Sequence, residues 1–447
     1  MTAEYLLVEG GTLIDGTAAK PLAGAAVLIA GGDIIDAGPA ARVGTRPECA
    51  TAERLDARGL WIIPGLIDSH IHAALTGFES MPVFLACGVT TVRDVGGPLD
   101  IMTDTRDRLD AGETAGPRFI FCGPLIDGDP PSFPSGLLPI IASTPDAAAA
   151  ADLADECIAR GAGAIKLYFR LPRESLRAAI ARVAGRVPVT GHLGRTRASE
   201  AVEDGINCFE HVVVTIYNDV VREEDRFDAV RDSMADPNFW IKLHEGWARA
   251  DLDGRGAQSL LEAMRASDVT LDPTLDITAL VGARAAAEDP SLRHIRPELR
   301  QLWEMRRQAS GPRPEADPAI ARAGHAACGD FVRRYHELGG RVIAGTDVGA
   351  VPHLVPGFSL HGELRMLVAA GLSPAAALRA ATLDAAKALR IEAETGSIEP
   401  GKAADLVLLE GNPLEDIAHV ASIREVVRKG VRYRPSDLLP HEGRKAE

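Results

Sequence analysis

Strand-like and helix-like pieces alternate through the middle of this chain, and the strand-like runs count to eight. They are residues 62–68, 90–95, 118–122, 164–168, 187–191, 207–211, 269–273 and 341–345. Ala-rich, charge-flecked stretches such as 145–160 and 173–182 lie between most of them. Such alternation implies parallel strands, because each helix returns the chain to the start of the next strand. Eight units predict a closed (β/α)8 barrel, the TIM-barrel architecture. The stretch from about Tyr217 to Ser267 is longer than one crossover needs and predicts a helical insertion over the barrel mouth. Helices over 362–370 and 374–390 are expected to complete the ring.

The two ends have a different texture. Short runs at 5–8, 11–15, 25–29 and 33–36 are separated by Gly-Gly, Asp-Gly and Gly-Gly-Asp turns, and 53–61 adds a strand-like pair around Gly59. Residues 404–409 follow a Pro400-Gly401 turn, and 423–431 alternates towards Gly430. A small β-sandwich domain built from both termini accounts for this pattern. The expected organisation is 1–61 and 395–435 for that domain, 62–394 for the barrel and 436–447 for a charged tail.

Composition narrows the partners. Lys plus Arg number 48 against 63 Asp plus Glu, a net charge of −15. Such a surface repels phosphate backbones and anionic lipid, so neither nucleic acid nor a membrane is expected as a partner. With aromatics at 4%, the core must be built from Ala, Val, Leu and Ile. The six scattered cysteines form no C-x-x-C pair and read as buried thiols in a reducing compartment. The first residues lack the basic start and apolar stretch of a signal peptide, so a cytoplasmic location is expected.

His70-Ile71-His72 follows the first barrel strand. In extended chain, residues i and i+2 share a face, so both imidazoles point into the same space and supply half a zinc site. Twelve histidines produce about 0.3 chance H-x-H pairs, so the motif alone decides little. Position adds what spacing lacks. His192 ends the fifth strand, His211 the sixth and Asp347 the eighth. Active sites of this architecture gather at those C-terminal strand ends. Lys166 sits inside an apolar strand, where a charged ammonium is disfavoured. It forms either an ion pair with Asp347 or Glu210, or a neutral amine that reacts with carbon dioxide to give a carbamate bridging two metals.

This constellation resembles the amidohydrolase superfamily, and the resemblance covers essentially the whole chain. It includes residues 63–72, Gly345-Thr346-Asp347 and the tail segment 396–407. The segments 356–364 and 411–414 look like the imidazolonepropionase-like and Xaa-Pro-dipeptidase (prolidase)-like branch. The resemblance implies two divalent metal ions, usually Zn2+. One would be held by His70, His72 and Asp347 and the other by His192 and His211, with carboxylated Lys166 and a hydroxide between them. Two divalent ions supply +4, while carbamate, Asp347 and hydroxide supply −3. The residual charge lowers the pKa of the bridging water towards ~7. Asp347 is then the expected proton carrier to the leaving amine. Deamination by a single metal is disfavoured, because His192 is followed by Leu193-Gly194-Arg195 and not by an H-x-x-E element.

Two features depart from the dipeptidase pattern. Strand five reads Gly191-His192-Leu193-Gly194, and strand three offers no histidine. The metal site survives both changes but a proline-dipeptide substrate does not follow, and the expected partner is a small-molecule amide or peptide substrate. Tyr168 shares the inward face of Lys166 and could line the pocket. Tyr217, six residues past His211, could polarise a carbonyl. His353, Arg170 and Arg195 are loop residues able to meet a carboxylate. The readings in competition are an ester, carbamate or lactone hydrolase using the same centre, and a non-catalytic barrel module. The superfamily resemblance also implies a homo-oligomer.

Overall fold

The structure is a computed structural model that describes residues 4–17, 20–133, 140–282, 290–295, 297–309 and 317–439. The start of the chain supplies β1 (Tyr5–Leu13), β2 (Leu22–Ala30), β3 (Asp33–Pro39), β4 (Glu53–Asp56) and β5 (Trp61–Pro64). The middle supplies β6 (Leu66–Ile71), β7 (Val89–Asp94), β8 (Arg118–Phe121), β9 (Leu125–Asp127), β10 (Ile141–Ser143), β11 (Ile165–Leu167), β12 (Val189–Gly191), β13 (Cys208–Glu210) and β14 (Thr270–Asp272). The end supplies β15 (Leu406–Leu409), β16 (Ile423–Arg428) and β17 (Val431–Tyr433).

Strands from both termini share one sheet of order β17-β16-β15-β5-β1-β2-β3, with β4 paired to β1. The strand β5 joins its halves, running parallel to β1 and antiparallel to β15. Val8, Val27, Ile62, Leu406 and Leu408 interdigitate on one face and are fully buried. The two short runs expected at 5–8 and 11–15 are a single strand with a bulge at Gly10. There the register slips between Glu9 and Gly11, and φ reaches +91°, a region open to glycine.

The expected first barrel strand, 62–68, is two elements. Residues up to Pro64 belong to the terminal sheet, and the inner strand starts at Leu66. Gly65 turns the chain between them at a point where a Cβ would run into Thr90 Oγ1. Both pieces are buried and apolar, so hydrophobic pattern alone could not separate them.

The inner strands form parallel sheets of order β6-β7-β8 and β10-β9-β11-β12-β13-β14. Backbone hydrogen bonds link the sheets at both edges. On one side Gly163 N, just ahead of β11, donates to Phe121 O at the end of β8 (2.9 Å). On the other, residues 341–346 run between β14 and β6. Leu271 N donates to Arg341 O (2.9 Å), Ile343 N to Leu271 O (2.9 Å), Ser69 N to Ala344 O (3.0 Å) and Thr346 N to His70 O (3.2 Å). Helices lie between successive strands, including Ala147–Ala159, Arg173–Val183 and Pro318–Glu337. The long stretch after His211 is helical as expected, with helices Tyr217–Val220, Pro237–Ala248 and Arg255–Ala266. No helix among the described residues is long and apolar enough to cross a membrane.

Candidate metal centre

Register places the site. Lys166 lies level with Thr190, Thr190 with Cys208, and Glu210 with Asp272. His192, two residues past Thr190, and His211, one past Glu210, therefore emerge at the same end of the sheet. His70 closes β6 with Ile71, and His72 follows directly. The structure brings these residues together. One oxygen of Asp347, Oδ1, lies 3.2 Å from His70 Nε2 and 3.0 Å from His72 Nε2. The His211 ring centroid is 4.5 Å from that of His70 and 4.5 Å from that of His192. Lys166 projects its ammonium into direct contact with Glu210 Oε2, and both side chains are fully buried. Of the two carboxylates expected as partners, Glu210 is the one that Lys166 Nζ meets.

The donor set fits a metal. One ligand atom each from His70, His211 and Asp347 lie within 4.8 Å of one another, and His70, Glu210 and Asp272 make a second such group. Neither ring nitrogen of His70, nor Nε2 of His192, nor Oδ1 of Asp272 makes a hydrogen bond, although all are buried. Buried polar atoms are costly to leave unpaired, and a cation would satisfy these. Burial, reinforced by neighbouring positive charge, holds His70, His192 and His211 well below the usual histidine range, so their rings are neutral and carry free lone pairs.

A layer of charge lies beneath the histidines, of which the sequence suggested only Glu210, as a partner of Lys166. Arg93, buried in β7, donates from Nε to Ser69 O (2.6 Å) and from its terminal nitrogen to Glu210 Oε1 (2.7 Å), with Asp272 Oδ2 at 3.5 Å. Burial lifts the Asp272 carboxyl to about 7, against the pull of Arg93 and Lys166. Asp68, lifted to about 8 by burial, accepts from Thr346 Oγ1 (2.8 Å) and His70 N (3.2 Å), tying the first strand to the loop that carries Asp347. The signal for Arg93, Glu210 and Asp272 was the one used for Lys166: a charge inside an apolar strand. Backbone strain marks the same rim. His211, Thr274 and Asp347 have φ of +55°, +48° and +61°, a region that non-glycine residues rarely adopt.

The expected substrate contacts divide. Tyr168 stands edge-on to His192 with centroids 5.0 Å apart, so it does border the cluster. His353 lies in the loop after Asp347 with its ring 5.9 Å from Trp303. Tyr217 is not brought to the cluster. Its hydroxyl donates to Asp225 O (3.0 Å) inside the helical insertion, its ring packs on Phe227 and Trp247, and it is fully buried. Arg170 is likewise committed, to Ala229 O (2.9 Å) and Pro131 O (3.0 Å), while Arg195 is exposed.

Parallel strands bearing histidines, a lysine and an aspartate at one end define an α/β protein with a site suited to divalent metal. A model of the amidohydrolase family matches residues 323–432, about a quarter of the chain, a stretch that includes Asp347 and the segments 356–364 and 396–407. A dihydroorotase of Pelotomaculum thermopropionicum is 43% identical over 75 residues, 17% of this chain and 16% of that protein, so the match spans about a sixth of the relative's length. A crystal structure of a Xaa-Pro dipeptidase with bound methionine in the active site superposes with a TM-score of 0.69 at 21% identity, covering 96% of this chain and 100% of that one. Bottromycin amidohydrolase superposes with a TM-score of 0.73 at 22% identity over 97% and 88% of the two chains. At these identities the superpositions establish the fold.

Proposed function

We propose that the chain is a metal-dependent hydrolase of C–N bonds, acting on an amide, a peptide or an N-acyl amino acid. The observation that carries this reading is the clustering of four histidine rings beside the buried Asp347 carboxylate, with neither ring nitrogen of His70 nor Nε2 of His192 in a hydrogen bond. The inner strands, with 341–346 bridging their edges, are read as a (β/α)8 barrel over 62–394, and 1–61 with 395–435 as the small β domain.

His70, His72 and Asp347 would hold one divalent ion, most simply Zn2+, and His192 and His211 a second, with a carbamate on Lys166 shared between them. When bound, such ions polarise a carbonyl and activate water at neutral pH. The remaining work falls to the chain. Asp347, its Oδ1 facing both His70 and His72, accepts a proton from the attacking water and delivers it to the leaving nitrogen. Arg93 balances Glu210 and Asp272, so that acidic groups can lie under the histidines without expelling one another. Tyr168, and His353 at the rim, would meet the substrate.

The test is a hydrolysis screen of dipeptides, N-acyl amino acids, anilides, esters and lactones with zinc-loaded protein. Amine release that chelator abolishes and zinc restores is expected. Cleavage of esters or lactones alone would reassign the centre to C–O bonds.

A further inference from the structure

The segment 356–364 has no part in the centre so far, yet it carries a fully buried acid. Glu363 lies in the helix Phe358–Ala369, and its two carboxylate oxygens accept from Leu275 N (2.9 Å) and Asp276 N (2.8 Å). Those are the first amides of the helix Leu275–Gly282, which begins where β14 ends. Free N–H groups at a helix start favour an acceptor, and here the acceptor comes from a helix almost ninety residues away.

The residue just ahead of that helix is Thr274. It is buried and held at φ +48°, an outlying conformation for a β-branched side chain. Its Oγ1 donates to Pro273 O (2.8 Å) and lies 2.9 Å from His211 Nδ1. A hydroxyl has one proton to donate. With that proton given to the carbonyl, the contact with His211 can form only if Nδ1 carries the hydrogen.

We infer that Thr274 fixes His211 as the Nδ1–H tautomer, leaving the Nε2 lone pair free to ligate, and that Glu363 is a positioning residue holding Thr274 in place through the Leu275 and Asp276 amides. The metal-binding consequence rests on the proposed centre; the tautomer assignment does not. A partner on the non-ligating nitrogen is how imidazole ligands are generally oriented, and losing one costs about 10- to 100-fold in metal affinity. His72 shows the same device, with Nδ1 3.3 Å from Gly96 O.

The test uses full-length protein labelled with 15N-histidine, with the His211 signals assigned by their loss in His211→Gln. In metal-free wild type His211 should be the Nδ1–H tautomer. Thr274→Val, which keeps the branched shape and removes the hydroxyl, should shift it towards Nε2–H, while Thr274→Ser should not. In chelator competition Thr274→Val should weaken binding of one zinc ion about 10- to 100-fold. Glu363→Gln should weaken it in the same direction, and the double variant should be no worse than Thr274→Val alone, because both act on one ring. Glu363→Asp is the milder probe if Glu363→Gln does not fold. An unchanged tautomer in Thr274→Val overturns the inference, and additive losses in the double variant overturn the role of Glu363. A wild type that binds no zinc, with the tautomer still following Thr274, would count against the metal centre and not against the tautomer.

Discussion

Loading of metal-free protein with zinc should require dissolved carbon dioxide and should quicken about tenfold between pH 6 and pH 8. The reason is Lys166. Burial first, and the Arg93 guanidinium second, draw its ammonium from the usual 10.5 down to about 7, with Asp347 pulling the other way. Only the neutral amine adds to carbon dioxide. With a pKa near 7 the neutral fraction is ~0.1 at pH 6, ~0.5 at pH 7 and ~0.9 at pH 8. An ordinary lysine would start several orders of magnitude lower and gain about a hundredfold over the same interval. The sign is fixed by the folded value lying below the unfolded one. The cost of enclosing the ammonium is fully felt below pH 7 and vanishes as pH rises towards 10.5. His70, His192 and His211 are already neutral across this range, so their titration does not shape the profile. The assay strips the protein with chelator and adds zinc at fixed dissolved carbon dioxide or under argon, following bound zinc and the 13C signal of a labelled carbamate. Equal loading with and without carbon dioxide, with no carbamate signal, would refute the bridging role of Lys166.

Asp347→Asn retains one ligating oxygen but removes the base, so turnover should fall about 10²- to 10⁴-fold while metal content falls far less; near-normal turnover would place the base elsewhere. Arg93→Met leaves buried Asp272 without its cation and Glu210 with Lys166 alone, and should cost about 3–5 kcal/mol in denaturant unfolding; a loss under 1 kcal/mol would show that the Asp272 carboxyl is protonated in the native state. Tyr217→Phe removes a hydroxyl that donates to Asp225 O, so it should cost about 1 kcal/mol of stability and leave the Michaelis constant unchanged; a large rise in that constant would return Tyr217 to the substrate pocket.

That His70, His72, His192, His211 and Asp347 gather at one end of the strands was legible in the sequence, because strand ends are easy to find when strands are short and apolar; their role as ligands, with Lys166, is the proposal. The charges beneath them were legible only in part. Glu210 was expected as a partner of Lys166 and is one, but Arg93 lay in a run where Thr91, Val92 and Asp94 suggested nothing beyond a strand. The break at Gly65 was hidden for another reason: residues 62–64 and 66–67 on its two sides are all buried and apolar, and only their pairing partners tell them apart. Tyr217 failed because six residues past His211 says nothing of direction, and the short helices Val212–Thr215 and Tyr217–Val220 turn its ring into the insertion.

The most direct test of the central claim is the metal content of the protein itself. Elemental analysis of full-length chain purified without chelator, paired with turnover before and after chelation, should find close to two divalent ions per chain and activity that is lost and regained with them. A content near zero, with activity unchanged in chelator, would contradict the metal centre and the hydrolysis built on it.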